Sequence, residues 1–319
     1  MTEPISLALV FCTFQRNDKL AEALESLVTQ AVPDGVEASV TVVDNSNDGQ
    51  ARALVEGFNG RWRFPVRWIE AHPPNISVAR NAGVAATAEP YLVFLDDDET
   101  CAPGWFPALI SAMRACERDV LVGPVLTEFE APERASPSAR QLFTRVHDWP
   151  LGTELFAYGP HKQATLSLAT NNAVFKRATT LDGAQPFDLD FGNGGGEDFD
   201  LFCRIQKRGA RVAWAPGFQV RSFVSAARCE RDYLRKRAYA GGQAYAAAIA
   251  RMAQAPQAER WRLRLLALVQ LALLAFAAPG AMARGGHAWT DYLCRAEGVL
   301  GKISFGGIFP LYREGDRAG

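Results

Sequence analysis

Five short apolar runs between residues 6 and 122 alternate with turns and helical spacings, and few folds accept that rhythm. The runs are Ser6–Cys12, Ser39–Val43, Val66–Ile69, Tyr91–Leu95 and Val120–Val122, each of the length of a buried strand. Leu20, Leu24, Leu27 and Val28 form a helical stripe after the first run, with Asn17 or Asp18 as its N-cap. Ser77 opens a second helix over Val78–Ala86, and Pro103–Cys116 reads as a third. Strands that alternate with helices predict an α/β fold, a mostly parallel sheet flanked by helices on both faces.

The pattern then loosens. Glu128–Gln163 is rich in Pro and charge with weak periodicity, and is expected to be a long excursion over the active face. Ala173–Lys176 is a short strand, GNGGG at 192–196 a flexible loop, Glu197–Arg208 a helix ended by Gly209, and Val212–Trp214 the last strand. From about Ala226 the chain is helical and strand-free, so a catalytic domain at 1–225 and a helical extension at 226–319 are expected. Charge divides in a similar place. Arg204–Arg264 holds 14 Lys/Arg against 3 Asp/Glu, in a chain whose formal net charge is −1. That balance excludes a dedicated nucleic-acid binder, while the basic rear suits an anionic partner. The six cysteines include no C-x-x-C pair, which makes structural zinc a poor reading. With an acidic, polar N-terminus unlike a signal peptide, they point to a reducing, cytosolic setting.

Two acidic clusters carry the chemistry. The fourth run ends in Asp96, Asp97, Asp98 and Glu99, where open parallel sheets place their ligands. Adjacent carboxylates repel and need a counter-charge. Residues i and i+2 of an extended segment share a face, so Asp96 and Asp98 are candidates to hold Mg2+ or Mn2+, with Asp97 turned elsewhere. An acidic, solvated turn that caps the next helix is the plain alternative. The second cluster, Glu197, Asp198 and Asp200, opens a helix directly after the glycines. Acids in a first turn suit the helix dipole, and one of them at the mouth of a site would also serve as a general base.

In order along the chain, FCTFQRNDKLAEALESLVTQ, VTVVDNSNDG, NISVARNAG, YLVFLDDDE and NNAVFKR with GGGEDFDLFCRIQKRG resemble the successive elements of family 2 glycosyltransferases. The similarity covers about residues 5–215, and NISVARN, FLDDDET and GGED look most like the succinoglycan-type bacterial exopolysaccharide glucosyltransferases. The resemblance implies the nucleotide-diphosphosugar transferase (GT-A, Rossmann-like) fold and inverting transfer of a hexose, glucose in the closer relatives. The donor would be a nucleotide-diphosphosugar such as UDP-glucose, and the acceptor a polyprenyl-diphosphate-linked saccharide at the inner face of the cell membrane. Carried onto this chain, Thr13, Asp44, Arg80 and Asp96 match nucleotide-binding positions, and Asp96 and Asp98 the Asp-x-Asp pair for ribose and divalent cation. Asp198 matches the catalytic base, with Glu197 its neighbour on the acceptor side. Asn45 stands where the family more often has a second aspartate.

The rear segment Leu265–Ala278 has Gln270 as its one polar residue, followed by Pro279 and Gly280. Its 14 residues fall short of the ~20 that a span needs. Three readings stay open: a helix buried on the catalytic domain, a helix lying in the membrane interface beside Arg260, Arg262, Arg264 and Arg284, and a true span. Two further functions also stay open. A metal-dependent nucleotidyltransferase or phosphohydrolase would use the same acids, although no G-x-x-x-x-G-K-[ST] is present. A non-catalytic sugar-binding protein would not need them all.

Overall fold

The computed structural model describes residues 4–163, 166 and 168–312. Four parallel strands, β1 (Ile5–Thr13), β2 (Val36–Asp44), β3 (Val66–Glu70) and β4 (Tyr91–Asp96), form the front of the sheet. They lie in the order β3-β2-β1-β4, connected by α1 (Asn17–Val28), α2 (Ala51–Glu56) and α3 (Ile76–Ala85). The chain winds outward from β1 to β3 and then returns to the other side of β1, which opens a crevice beyond the carboxyl ends of β1 and β4. Register fixes what lines it. Thr13 pairs with Asp44 and Cys12 with Asp96, so three of the expected site residues end neighbouring strands.

Period-two alternation along β1 divides the core. Leu7, Leu9 and Phe11 pack on one face with Leu20, Leu24, Leu27, Val40 and Leu109. Ala8 and Val10 pack on the other with Ala79, Phe94, Phe175, Phe202 and Trp214. Strands sealed on both faces need no polar side, and for this reason they show in the sequence as plain apolar runs.

After β4 come β5 (Glu99–Cys101), α4 (Trp105–Ala115), β6 (Val120–Val122), β7 (Val125–Phe129), α5 (Pro137–Phe143), β8 (Ala173–Lys176) and α6 (Arg177–Thr180). Then follow α7 (Glu197–Lys207), β9 (Val212–Trp214) and β10 (Val220–Val224). β8 inserts antiparallel between β4 and β6, and β9 closes the seven-stranded sheet parallel to β6. β5, β10 and β7 make a separate three-stranded sheet. Val212–Trp214 is therefore not the last strand, and the start of the Glu128–Gln163 excursion is already ordered into β7, with α5 following. Two of these strands, Glu99–Cys101 and Val220–Val224, carry polar or charged residues, which hides them from a search for apolar runs. Helix α3 starts two residues earlier than expected: Asn75, not Ser77, caps it, its Oδ1 accepting from Ser77 N at 2.9 Å and Val78 N at 3.2 Å.

The rear is strand-free among the described residues, as expected: a short 3-10 turn (Ala226–Cys229), then α8 (Arg231–Met252), α9 (Pro256–Arg284) and α10 (Gly286–Ile303). α8 and α10 cross with their backbones in near contact. A Cβ on Gly242 would sit 2.1 Å from Gly298 O, and one on Gly301 2.2 Å from Tyr239 O, so only glycine allows this approach. α9 continues through Pro279 to Arg284, 29 residues or about 43 Å at the α-helical rise. It is long and apolar enough to cross a membrane. It is not the buried core helix among the three readings, because only Leu263, Ala267 and Ala281 are buried along it. Leu265, Val269, Leu273 and Phe276, spaced to share one face, are exposed, Phe276 by 85%. All six cysteines are free.

Candidate active site

The acidic end of β4 is compensated by arginines from three directions. Thr13 Oγ1 donates to Asp97 Oδ2 at 2.8 Å. Arg16, just past β1, donates to Asp97 Oδ1 at 3.3 Å and Asp98 Oδ2 at 3.2 Å, and Arg228 reaches Asp98 Oδ2 at 3.3 Å. The alternation expected from an extended chain holds for Asp97, which is buried and turned inward, and for Asp96, whose side chain is 43% exposed. Asp98 differs. It shares Arg16 with Asp97, because the chain turns at 97–98 before β5 begins.

The counter-charge that the sequence reading assigned to a metal is thus partly supplied by protein. Among the described residues no group of three or more His, Cys, Asp or Glu is arranged to hold a metal ion. What remains is the open carboxylate of Asp96 and the second oxygen of Asp98. That donor set fits a hard divalent cation which takes one or two carboxylates and completes its shell with substrate phosphates, the habit of Mg2+. Low-dielectric surroundings lift the Asp96 carboxyl to about 7, with Arg80 opposing and the charges of Asp98, Asp198 and Asp97 adding; its solvent-facing side moderates the effect. Burial likewise raises Asp97 against the pull of Arg16, and raises Glu99 well above the carboxylate range.

Arg80 joins the two acidic clusters. It rises from α3 with its side chain only 7% exposed. Its Nη1 donates to Glu197 and, at 2.7 Å, to Asp198 Oδ1, while Nη2 lies 3.9 Å from Asp96 Oδ1. Burial works against its charge, but Asp198, Glu197 and Asp96 outweigh it and keep the guanidinium protonated. Thr170 Oγ1 gives Asp198 a second donor at 2.8 Å. Glu197 is the more enclosed of the pair, its Oε2 buried with no hydrogen-bond partner among the described residues; the Asp198 side chain is 17% exposed. Burial and the Asp198 charge raise the Glu197 carboxyl, with Arg80 opposing. Asp200, third acid of that first turn, points to structure instead. It is fully buried and takes Arg204 at 2.7 Å and Arg251 of α8 at 3.4 Å.

The glycines before α7 do not leave an open loop. A Cβ on Gly192 would lie 1.8 Å from Asn75 Oδ1, so the loop is pressed against the cap of α3. Thr13 and Asp44 lie side by side at the ends of β1 and β2, and both are buried with their polar atoms engaged within the protein. Asp44 Oδ1 accepts from Ser46 N at 3.0 Å and Ser46 Oγ at 2.5 Å, and its Oδ2 from Ala51 N at 3.3 Å and Trp68 Nε1 at 3.4 Å.

Asn45 acquires a reason. Its Nδ2 donates to Ala71 O at 2.6 Å and Pro73 O at 3.2 Å, and its Oδ1 accepts from Asn75 N at 2.7 Å. An aspartate cannot donate to those carbonyls. Asn45→Asp is expected to cost about 1–3 kcal/mol, the range for a buried partner left unsatisfied, measured by urea unfolding. Equal stability of the two proteins would refute this role.

Several residues here carry no sequence signal. Arg145 lies inside the expected excursion and is fully buried. Its Nε donates to Gly123 O at 2.9 Å and its Nη1 to Asn171 Oδ1 at 3.2 Å, and burial lowers it to about 10, still charged at neutral pH. Asn171 in turn donates to Glu99 Oε1 at 2.6 Å. Arg16 had a signal that could have been used: a cation placed just past a strand whose parallel neighbour ends in acids.

This arrangement has relatives. The family model for glycosyl transferase family 2 matches residues 8–177, the segment that builds β1 through β8. Succinoglycan biosynthesis protein ExoM of Rhizobium meliloti (strain 1021) is 31% identical over 264 residues, 82% of this chain and 81% of its own length. Pre-mycofactocin glycosyltransferase of Mycobacterium tuberculosis (strain ATCC 25618 / H37Rv) is 30% identical over 176 residues, 54% of this chain and 35% of that protein. In fold, the chain is similar to S. aureus TarS 1-349 in complex with UDP, with TM-score 0.53 at 14% identity over 94% of this chain and 89% of that one. It spans 54% of the longer TarS structure. The GT-A-like sheet expected from the motifs is the one formed, and the nucleotidyltransferase or phosphohydrolase alternative falls away. A family match over more than half of the chain, joined to a relative shared along four-fifths of it, makes this protein a member of glycosyl transferase family 2.

Proposed function

We propose that this glycosyltransferase moves glucose from UDP-glucose to a polyprenyl-diphosphate-linked saccharide, with inversion, at the inner face of the cell membrane, in exopolysaccharide synthesis. The observation that carries the reading is the single guanidinium of Arg80, which gathers an acid from the end of β4 and two from the start of α7. Donor-side and acceptor-side carboxylates thereby converge on one cation. ExoM, named for succinoglycan biosynthesis, supports the pathway class, and the UDP complex of TarS supports the donor class.

In this reading residues 1–225 form the catalytic unit and 226–319 the unit that meets the membrane. Thr13 and Asp44 shape the nucleotide site from beneath, and Arg80 and Asp96 border it. Asp96 and Asp98 would hold Mg2+ or Mn2+, which supplies charge stabilisation to the departing diphosphate. Asp198 takes the proton of the acceptor hydroxyl as that oxygen attacks the anomeric carbon opposite the leaving group. Thr170 and Arg80 fix its orientation, and Glu197 stands beside it. A single displacement from an α-linked donor yields a β-linkage.

Calorimetric titration of UDP tests the donor site. Binding is expected to be tighter with Mn2+ than with chelator, and Asp96→Asn is expected to abolish the difference. Equal affinity in Mn2+ and chelator would overturn the cation assignment.

The membrane part rests on α9. Its exposed face of Leu265, Val269, Leu273 and Phe276 begins beside Trp261 and Phe305, both exposed, with Arg264 over their rings at 5.1 and 3.6 Å. Aromatic rings and a cation at the edge of an apolar stripe suit the headgroup boundary. Full-length protein is expected to sediment with anionic vesicles more than with neutral ones, at about 1 kcal/mol per engaged basic residue. High salt is expected to shrink that difference, and truncation after Ala255 to abolish sedimentation. Negligible sedimentation with every lipid would contradict the reading.

A further inference from the structure

A groove lined by none of the acids lies between α8, α9 and α10, with a volume of about 730 Å³. Its chemistry is divided. Leu273 and Leu274 of α9 supply an apolar wall, and Lys162, Arg295 and Lys302 supply three cations. Gly242 and Gly298 line its floor, where Gly242 and Gly301 let α8 and α10 approach so closely.

Some basic residues nearby have carboxylate partners. Arg235 pairs with Glu297, Arg251 with Asp188, and Arg262 with Glu259. None of Lys162, Arg295 and Lys302 forms an ion pair with a carboxylate among the described residues. Among the described residues, Lys302 Nζ has Gln270 Oε1 at 3.3 Å and the Tyr245 ring at 5.3 Å; Lys162 Nζ lies over the Phe199 and Tyr245 rings at 5.5 and 5.8 Å. Burial, reinforced by the charge of Lys162, lowers the Lys302 ammonium from its ordinary value. Like charges gathered around an open groove, without carboxylate partners among the described residues, leave room for an anion with more than one negative charge.

The groove also has a direction. Leu273, one wall residue, is 65% exposed and belongs to the apolar face of α9 proposed to enter the membrane boundary. At the other side Tyr245 stacks on Phe199 with centroids 5.6 Å apart, and Phe199 directly follows Asp198 in α7. Membrane-facing leucines, cations and the first turn of α7 are thus consecutive.

We propose that this groove seats the head of the lipid acceptor, its phosphates held by Lys162, Arg295 and Lys302 and the first carbons of its isoprenoid chain lying on Leu273 and Leu274. This rests on the lipid-linked acceptor of the proposed function and names where its anchor binds. A free phosphate would use the cations but not the leucines. A lipid diphosphate uses both, which is why the wall decides for the lipid.

The test uses full-length protein, with farnesyl diphosphate and inorganic pyrophosphate as probes and UDP as a control in the same samples. Farnesyl diphosphate is expected to bind wild type, and the R295Q/K302Q double variant to lose about tenfold or more of that affinity, as for lost charge-assisted contacts. Leu273→Ser alters an exposed side chain and adds no charge, so the fold and the charge of the groove are kept. It is expected to weaken farnesyl diphosphate while leaving pyrophosphate unchanged. UDP affinity is expected to be equal in all three proteins. Pyrophosphate binding as tightly as farnesyl diphosphate, or farnesyl diphosphate binding the double variant as it binds wild type, overturns the proposal. If wild type binds UDP but not farnesyl diphosphate, the groove assignment alone fails; if it binds no UDP, the donor reading of the acidic site fails separately.

Discussion

Asp198→Asn is expected to lower turnover by about 10²–10⁴, the range for loss of a general base. The amide keeps an oxygen where Thr170 and Arg80 donate, so α7 keeps its position. What is lost is the ability to accept a proton from the acceptor hydroxyl. UDP affinity is expected to stay within about threefold, which separates a loss in the chemical step from a loss of donor binding. Asp198 is preferred over Glu197 because it is the less enclosed of the two, with 17% against 7% of its side chain exposed. Turnover within a few-fold of wild type in this variant, with a large loss in Glu197→Gln, would transfer the role to Glu197.

Arg80→Met is expected to be the most destabilising single change in the site, by about 3–5 kcal/mol, the usual cost of removing one partner from a buried ion pair. Methionine keeps much of the stem but leaves Glu197 and Asp198 adjacent and uncompensated. The sign of the pH effect follows. Burial and Asp198 already hold the Glu197 carboxyl above its ordinary 4.5, so the native state binds that proton more tightly than the unfolded chain does. A carboxyl raised in this way favours the native state at low pH and loses that contribution as pH rises through its folded value. Without Arg80 to oppose it, the raise is larger. The deficit of the variant, measured by urea unfolding, is therefore expected to shrink as pH falls from about 8 to about 5. A deficit independent of pH would show that packing, not charge, is what Arg80 supplies.

The legible part of this molecule was the part buried on both sides. β1 and β4 are apolar over most of their length because both faces are covered, and Asp96 was placed at a strand end because YLVFL runs straight into it. β5 and β10 were not legible. They sit in the smaller sheet, where Thr100, Arg221 and Ser222 are tolerated, and their pairing joins residues more than a hundred positions apart. Arg80 shows the same limit within the site. Its motif placed it near the nucleotide, but its bonds to Glu197 and Asp198 span 117 and 118 positions and follow from tertiary packing alone. The glycines of 192–196 read as freedom and proved to be close contact. For α9, Pro279 counted against a span, yet the helix continues past it, with few of its side chains buried.

The most direct measurement is incubation of the full-length protein with radiolabelled UDP-glucose, Mn2+ and a lipid extract of membranes making the polysaccharide. Label is expected to pass into the lipid fraction with release of UDP, in wild type and not in Asp198→Asn. Release of free glucose or phosphate without labelled lipid, or no turnover with UDP-glucose while another nucleotide-sugar labels the lipid, would contradict the transfer proposed here.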